Sequence, residues 1–217
     1  MSDNATPGQR PLFTVINTFT LKEPENAAAF EERFLSHVEW MRARDGFESH
    51  QAVRSQEQPG VYVNLGWWGS PENFKEVLGS EVFQEHAKDF HRIVDVEADP
   101  SLGVLRLNGR QDSLADGVVL VVETLDATGD AVELEVAYRA YAEAAASVDG
   151  FGWTDFARSL IRPDHYTAVT AWSGAEAAAV AGALPQYAAV LALADTQRTT
   201  GSPVAGTRSP AAVPVAV

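Results

Sequence analysis

The chain has 217 residues, 46% of them hydrophobic and 21% charged, which suffices for one large globular domain or two small ones. A net charge of −14 without any basic segment argues against binding to nucleic acid or to an anionic membrane. The lack of cysteine excludes disulfides, thiolate metal sites and cysteine nucleophiles. Together with the polar N-terminus and the absence of a long apolar run, the lack of cysteine predicts a soluble cytoplasmic protein.

The first half of the chain alternates between strand and helix patterns. Runs of β-branched and aromatic residues indicate strands, and apolar residues at helical spacing indicate helices. In chain order, the predicted elements are a strand at 11–21, a helix at 24–44, strands at 46–55 and 60–68, helical pieces at 70–79 and 80–93, and a closing strand within 94–107. The order β-α-β-β-α-β is that of a ferredoxin-like, or split βαβ, unit.

The second half repeats this order after a linker at 108–117. Asp130 with Glu133, and Ser173 with Glu176, have the spacing of helix capping boxes. The predicted elements are a strand at 118–125, a helix at 131–148, a hairpin at 150–172, a helical region at 175–194 and a last strand within 196–206.

One stretch of the sequence occurs twice. "DGFESHQAVRSQEQPGVYVNLGWW" (45–68) aligns without a gap on "DGFGWTDFARSLIRPDHYTAVTAW" (149–172). An antiparallel sheet with helices on one face leaves its other face bare, and two such sheets can cover each other by closing into a barrel. The predicted fold class is therefore α+β, with ferredoxin-like units at 11–107 and 117–206 forming one intramolecular barrel. A flexible tail is predicted at 207–217.

Four segments resemble the antibiotic biosynthesis monooxygenase family of the dimeric α/β-barrel superfamily. They are "INTFTL" (16–21), "RARDGFESHQAVRS" (42–55), "VYVNLGWWGSPENF" (61–74) and "GSEVFQEH" (79–86). The resemblance covers most of 12–107 and, more weakly, 117–206, and it implies a fused pair of units whose sheets form a dimeric α/β barrel. It also implies one of two chemistries, which are cofactor-free oxidation of aromatic polyketide intermediates by O2, or heme degradation. Some members have no known catalysis.

Asn17 is the first candidate residue for the site. Strand alternation places Val15, Asn17 and Phe19 on one face. The resemblance implies that this asparagine lies in the pocket and holds an oxygen of the substrate or of O2. A hydrogen bond to a neighbouring loop is the structural alternative. In the second unit, Val121 or Val122 is expected at this position.

The strand at 60–68 supplies further candidates. Alternation places Tyr62, Asn64, Gly66 and Trp68 on one face, which we expect to look into the barrel, while the opposite face with Trp67 is expected to take the helices. The resemblance implies that Trp68 is the pocket tryptophan. Gly66 leaves room for a planar ligand. Because Trp172 repeats Trp68, a purely structural role for both stays open.

The helix at 80–93 contains His86, which we expect to be the base of the reaction. Helical spacing places Val82, His86 and Phe90 on one apolar arc, although a structural core histidine is the alternative. Heme-degrading relatives carry a histidine four residues after the Phe of an S-x-x-F motif. Here the residue four positions after Phe83 is Ala87, and the histidine comes one position earlier. Heme ligation by His86 would therefore need the helix to rotate by about 100°. His91 is expected at the edge of the helix.

Together these residues predict a site in the first unit only. The predicted catalytic residues are His86, Asn17 and Trp68. The predicted substrate-binding residues are Tyr62, Asn64, Trp67, Phe83, His91 and Arg54, although Arg158 repeats Arg54 and a structural role for that pair is the alternative. No metal and no cofactor are predicted, with heme as the alternative.

The leading functional hypothesis is a cofactor-independent monooxygenase. Its partners would be O2 and a small aromatic substrate, an anthrone or phenol of a polyketide-type pathway in secondary metabolism. The alternatives are a heme-binding or heme-degrading monooxygenase, a non-catalytic binding module, and a cyclase on the same scaffold. The chain is expected to act as a monomeric pseudo-dimer or a homodimer.

Overall fold

The computed structural model describes residues 12–109 and 117–204, which form eight strands and six α-helices. The first unit consists of β1 (Phe13–Leu21), α1 (Ala27–Arg42), β2 (Phe47–Ser55), β3 (Val61–Trp68), α2 (Pro71–Leu78), α3 (Glu81–Phe90) and β4 (Val94–Asn108). The second consists of β5 (Val119–Ala127), α4 (Ala131–Ala145), β6 (Phe151–Ser159), β7 (His165–Trp172), α5 (Ala175–Gly182), α6 (Pro185–Leu191) and β8 (Ala194–Pro203). The tail predicted at 207–217 lies outside the described residues.

The eight strands form one closed antiparallel barrel in the order β1-β3-β2-β8-β5-β7-β6-β4. Each unit contributes four neighbouring strands. The units join where β2 pairs with β8 and where β4 pairs with β6. This confirms the predicted α+β fold of two ferredoxin-like sheets closing on each other. The domain boundaries at 107 and 117 stay a prediction, and β4 itself ends at Asn108.

Helix starts follow the capping rules at three places, and the one at Asp130 confirms a predicted cap. The side chains of Ser70, Ser80 and Asp130 accept hydrogen bonds from backbone amides in the first turns of α2, α3 and α4. The cap predicted at Ser173 is wrong. The backbone amide of Ser173 donates to the carbonyl of Gly150. Gly174 is the N-cap residue instead, and α5 begins at Ala175. None of the helices among the described residues combines the length and hydropathy needed to cross a membrane.

The barrel interior is packed with side chains from both units. Leu65 and Trp67 of β3 meet Leu120, Trp153 and Val169 of the second unit there. The Trp67 face of β3 therefore looks into the barrel and the Trp68 face takes the helices, which is the reverse of the predicted orientation. The tryptophans on both faces are fully buried, so apolar content does not distinguish the two faces.

A buried ion pair ties the two units together inside the barrel. The Arg106 guanidinium on β4 donates from Nε to Asp155 Oδ2 on β6 at 2.6 Å and lies over the ring of Trp67, 5.7 Å from its centre. Asp155 is 1% exposed. Burial raises the pKa of its carboxyl, and the Arg106 charge opposes that rise.

A polar cluster recurs in both units between the first helix and the hairpin. Tyr62 donates to Glu31 at 2.8 Å, and Arg54 forms an ion pair with the same carboxylate. The second unit has the equivalent set Tyr166, Glu135 and Arg158. An arrangement that is present in both units indicates a structural role for Tyr62 and Arg54.

Candidate functional site

The first unit contains a cavity of about 420 Å³ between the outer face of its sheet and the helices α1, α2 and α3. Its walls are largely aromatic and include Phe34, Phe47, Trp68, Phe74, Phe83 and Phe90. None of the described residues that line it is Asp, Glu, Lys or Arg. A concave, mostly apolar chamber with a few polar groups is the usual form of a small-molecule site.

Two asparagines face each other across the floor of this cavity. Asn17 on β1 is directly opposite Asn64 on β3 in the strand register, and both line the cavity. Asn64 is 7% exposed, and its Oδ1 atom has no hydrogen-bond partner among the described residues. A buried amide oxygen without a partner is costly, so a hydrogen-bond donor at this point would be stabilising.

Two N–H groups approach the space above Gly66. A Cβ atom at that position would lie 3.6 Å from Trp68 Nε1, 3.8 Å from the Val15 carbonyl oxygen and 4.0 Å from Asn64 Nδ2. The glycine therefore leaves room for a ligand atom in front of the indole and amide donors. Donors that converge on one point can stabilise an oxygen that gains negative charge during a reaction.

His50 on β2 lines the same floor and was missed by the sequence analysis. Its Nε2 lies 3.4 Å from the Arg42 guanidinium, which can only donate, so Nε2 accepts and the proton resides on Nδ1. Burial, with the Arg42 charge, lowers the pKa of His50 to about 4. Asn64 is close enough to oppose this shift, yet His50 Nδ1 has no hydrogen-bond partner among the described residues. His50 is therefore a neutral donor beside the Asn64 amide.

His37 on α1 forms part of the opposite wall and was also missed. Its Nδ1 lies 2.9 Å from Nδ1 of His86 on α3. Burial is the main cause that lowers the pKa of His37 to about 4, and the neighbouring His86 lowers it further. Among the described residues, Nδ1 of His37 is taken by His86, which leaves Nε2 as the nitrogen available to the cavity.

His86 itself does not line the cavity, so its predicted place in the middle of the apolar arc is wrong. The helix α3 turns Phe83, Ala87 and Phe90 toward the cavity instead, and Val82 is 42% exposed. His86 lies beside this line of residues, half-buried between α1 and solvent. One residue along a helix is a rotation of about 100°, which is enough to move the imidazole off the cavity wall.

The cavity does not fit the alternative of heme ligation by His86. The residue that faces the cavity four positions after Phe83 is Ala87, which has no ligating atom, and His86 points elsewhere. Within 12–109 and 117–204 no cluster of three or more His, Cys, Asp or Glu residues is arranged to hold a metal ion.

The remaining predicted residues divide into two groups. The cavity is lined by Asn17, Asn64, Trp68, Phe83 and His91, with His91 exposed at its edge. Trp67 lies in the barrel interior, and Tyr62 and Arg54 form the structural cluster with Glu31.

The equivalent chamber of the second unit contains a buried carboxylate. Strand pairing places Glu123 opposite Ala168, as Asn17 is opposite Asn64 in the first unit. The expectation of Val121 or Val122 at this position is therefore wrong. Glu123 accepts a 2.5 Å hydrogen bond from the Tyr187 hydroxyl, and burial raises its pKa.

Tyrosine side chains fill that second chamber. Tyr187 on α6 precedes the start of β8 by as many residues as Ala87 precedes the start of β4, so the two positions correspond. In the same way, Tyr141 on α4 precedes β6 as His37 precedes β2. Their rings are in contact, with centres 4.9 Å apart, and both belong to the core of the second unit. The position of Gly66 is taken by Thr170, which bonds Thr154 at 2.8 Å. Side chains thus occupy the volume that is open in the first unit.

Comparison with known proteins supports this assignment of the fold. Residues 12–93 match the family model "Antibiotic biosynthesis monooxygenase". No curated protein sequence matches the chain.

Solved structures extend the likeness of fold over 89–95% of the chain. A candidate monooxygenase from Lactobacillus acidophilus NCFM has a TM-score of 0.71 and 11% identity, over 90% of this chain and 95% of that one. One from Fusobacterium nucleatum subsp. nucleatum has a TM-score of 0.73 and 9% identity, over 89% and 92%. An anthrone oxidase-like protein has a TM-score of 0.67 and 17% identity, over 95% and 97%.

At these identities the structures show the shared fold, while the family model applies to the first unit. Residues 12–93 of the chain therefore match the antibiotic biosynthesis monooxygenase family model, and they are joined to a second unit of the same fold.

Proposed function

We propose that the first unit is a cofactor-independent monooxygenase that oxidises an uncharged aromatic substrate, an anthrone or phenol of polyketide type, with O2. The observation that carries this proposal is the uncharged aromatic cavity of about 420 Å³. A planar neutral ring system matches its walls. A carboxylate or phosphate would be buried there without a cation, at a cost of several kcal/mol.

The polar groups of the cavity suit the steps of such an oxidation. His37 Nε2 takes a proton from the substrate, which leaves a delocalised anion. Indole and amide N–H groups of Trp68 and Asn64, with His50 Nδ1–H beside them, stabilise its oxygen. The anion passes one electron to O2, and the two radicals combine at carbon. The resulting hydroperoxide, after regaining the proton, loses water to give a carbonyl, so that CH2 and O2 become C=O and H2O.

A pair of substrates that differ in charge tests this function. The purified protein is expected to consume O2 with a neutral anthrone and to lose at least about 100-fold in kcat/KM with its carboxylated analogue, because the cavity offers no cation to the carboxylate. Oxygen uptake and product formation are measured together. Equal rates for the two substrates would contradict the proposal.

Two controls separate the alternatives. Turnover of the neutral substrate under nitrogen would indicate a cyclase rather than an oxygenase. A saturable shift in absorption on addition of hemin, lost in His86→Ala, would indicate heme binding by His86 and would contradict the geometry of α3.

A further inference from the structure

A contact between two histidines links the cavity to the protein surface. His37 on α1 lines the cavity, and His86 on α3 is half-buried beside it, with the two Nδ1 atoms 2.9 Å apart. Because each Nδ1 carries at most one hydrogen, one imidazole must donate and the other accept. The pair therefore shares one hydrogen, and each Nε2 is left for another partner.

Aromatic rings hold this pair in place. Trp40 stacks on His37 with ring centres 5.8 Å apart and meets His86 edge-on at 5.4 Å. Phe83 and Phe90 flank His37 at 5.6 Å each. These rings pack against His37 where it contacts His86 and lines the cavity.

We propose that His86 is a proton-relay residue that acts through His37 in the oxidation, an inference that rests on the function proposed above. In the resting state His37 carries its hydrogen on Nδ1 and donates it to His86. When His37 Nε2 takes a proton from the substrate, the Nδ1 hydrogen moves to His86. When the peroxide needs a proton, both transfers reverse and the original tautomers return, so no net proton is gained or lost.

The environment of the two rings explains why a relay is needed. Burial holds the pKa of His37 at about 4, so this ring does not retain a proton at neutral pH. An imidazolium on His37 would also lie next to the substrate anion and would return the proton at once. His86 borders solvent, where water stabilises the positive charge, and the transfer moves that charge out of the cavity.

Two substitutions of His86 separate a relay from a structural contact. Glutamine offers an oxygen that accepts the His37 Nδ1 hydrogen but cannot pass a proton on. We expect His86→Gln to lower kcat with the neutral anthrone about 100-fold, at the lower end of the range for groups that transfer a proton. His86→Ala is expected to be equally slow, and added imidazole is expected to restore its rate in a concentration-dependent manner. The neighbouring exposed residue provides the control, and Glu85→Gln is expected to leave the rate unchanged.

The outcomes are distinct from those of the functional test. A wild-type rate in His86→Gln, or a slow His86→Ala that imidazole does not accelerate, would overturn the relay while leaving the oxygenase in place. If the wild type consumes no O2, the pair is still open to 15N NMR of labelled histidines. The relay requires one Nδ1 to be protonated and the other bare at neutral pH, and two bare Nδ1 atoms would contradict it.

Discussion

Replacing His37 by alanine is expected to slow oxygen consumption with a neutral anthrone by about 10²–10⁴-fold, the range found when a general base is removed. His37 lines the cavity wall, and its neutral form is maintained by burial, which lowers its pKa to about 4. His50 cannot substitute for it, since its Nε2 faces the Arg42 guanidinium and its Nδ1 carries a hydrogen. The measurement is kcat from oxygen uptake, with thermal unfolding to verify that the variant is folded.

The second unit offers a matched control for this variant. Tyr141 occupies the position that corresponds to His37 and packs against Tyr187. Tyr141→Phe is therefore expected to leave turnover unchanged. A His37→Ala variant that keeps a rate within about twofold of the wild type would remove His37 from the mechanism, since that is far below the loss expected for a general base.

Replacing Arg106 by leucine is expected to lower the free energy of unfolding by about 3–5 kcal/mol, because it leaves the Asp155 carboxylate buried without its partner. Asp155 is 1% exposed, and its Oδ1 already lacks a hydrogen bond among the described residues. Arg106 also covers Trp67, so packing is lost as well. The pair joins β4 to β6, and its loss weakens the junction between the units. Denaturant unfolding measures the effect.

Two further measurements test the cause of that destabilisation. Burial raises the pKa of Asp155, so the folded state keeps the proton to a higher pH than the unfolded state. The variant is therefore most stable below the pKa that Asp155 has in the unfolded chain, and it loses stability as the pH rises through the pKa of Asp155 in the folded state. Its loss in free energy of unfolding relative to the wild type should therefore shrink in acid. The double variant Arg106→Leu with Asp155→Leu should recover most of the loss. A deficit independent of pH, and unrelieved in the double variant, would point to packing alone.

The architecture was largely predictable because it is encoded in local patterns. The order of strands and helices follows from alternation and helical spacing, and the repeat at 45–68 and 149–172 predicted two units of one fold. A sheet with helices on one face needs a cover for the other, which predicted the closed barrel.

The orientation of β3 could not be predicted in the same way. Trp67 and Trp68 are both 0% exposed, because one face lies against the helices and the other inside the barrel. Alternation shows which residues share a face, and it grouped Asn64, Gly66 and Trp68 correctly. When both faces are apolar, alternation does not show which face packs against the helices and which lies inside the barrel.

The histidines show the limit for the site. His86 was expected to face the cavity, but the cavity-facing position of α3 lies one residue later, at Ala87. His37 became visible only through the packing of α1 against α3, since the contact with His86 joins residues far apart in sequence. Strand pairing could have indicated His50, which lies directly opposite Gly66 on the face of Asn64.

Among the residues that the structure describes, the first unit has an open chamber, while tyrosines fill the equivalent chamber of the second. The most direct measurement is the number of neutral naphthol or anthrone molecules bound per chain, determined by calorimetry without oxygen, in the wild type and in Ala87→Tyr. That variant places in the first chamber the residue that Tyr187 contributes to the second. The structure predicts one ligand per wild-type chain and none for folded Ala87→Tyr. Two ligands per chain, or binding that survives the substitution, would contradict it.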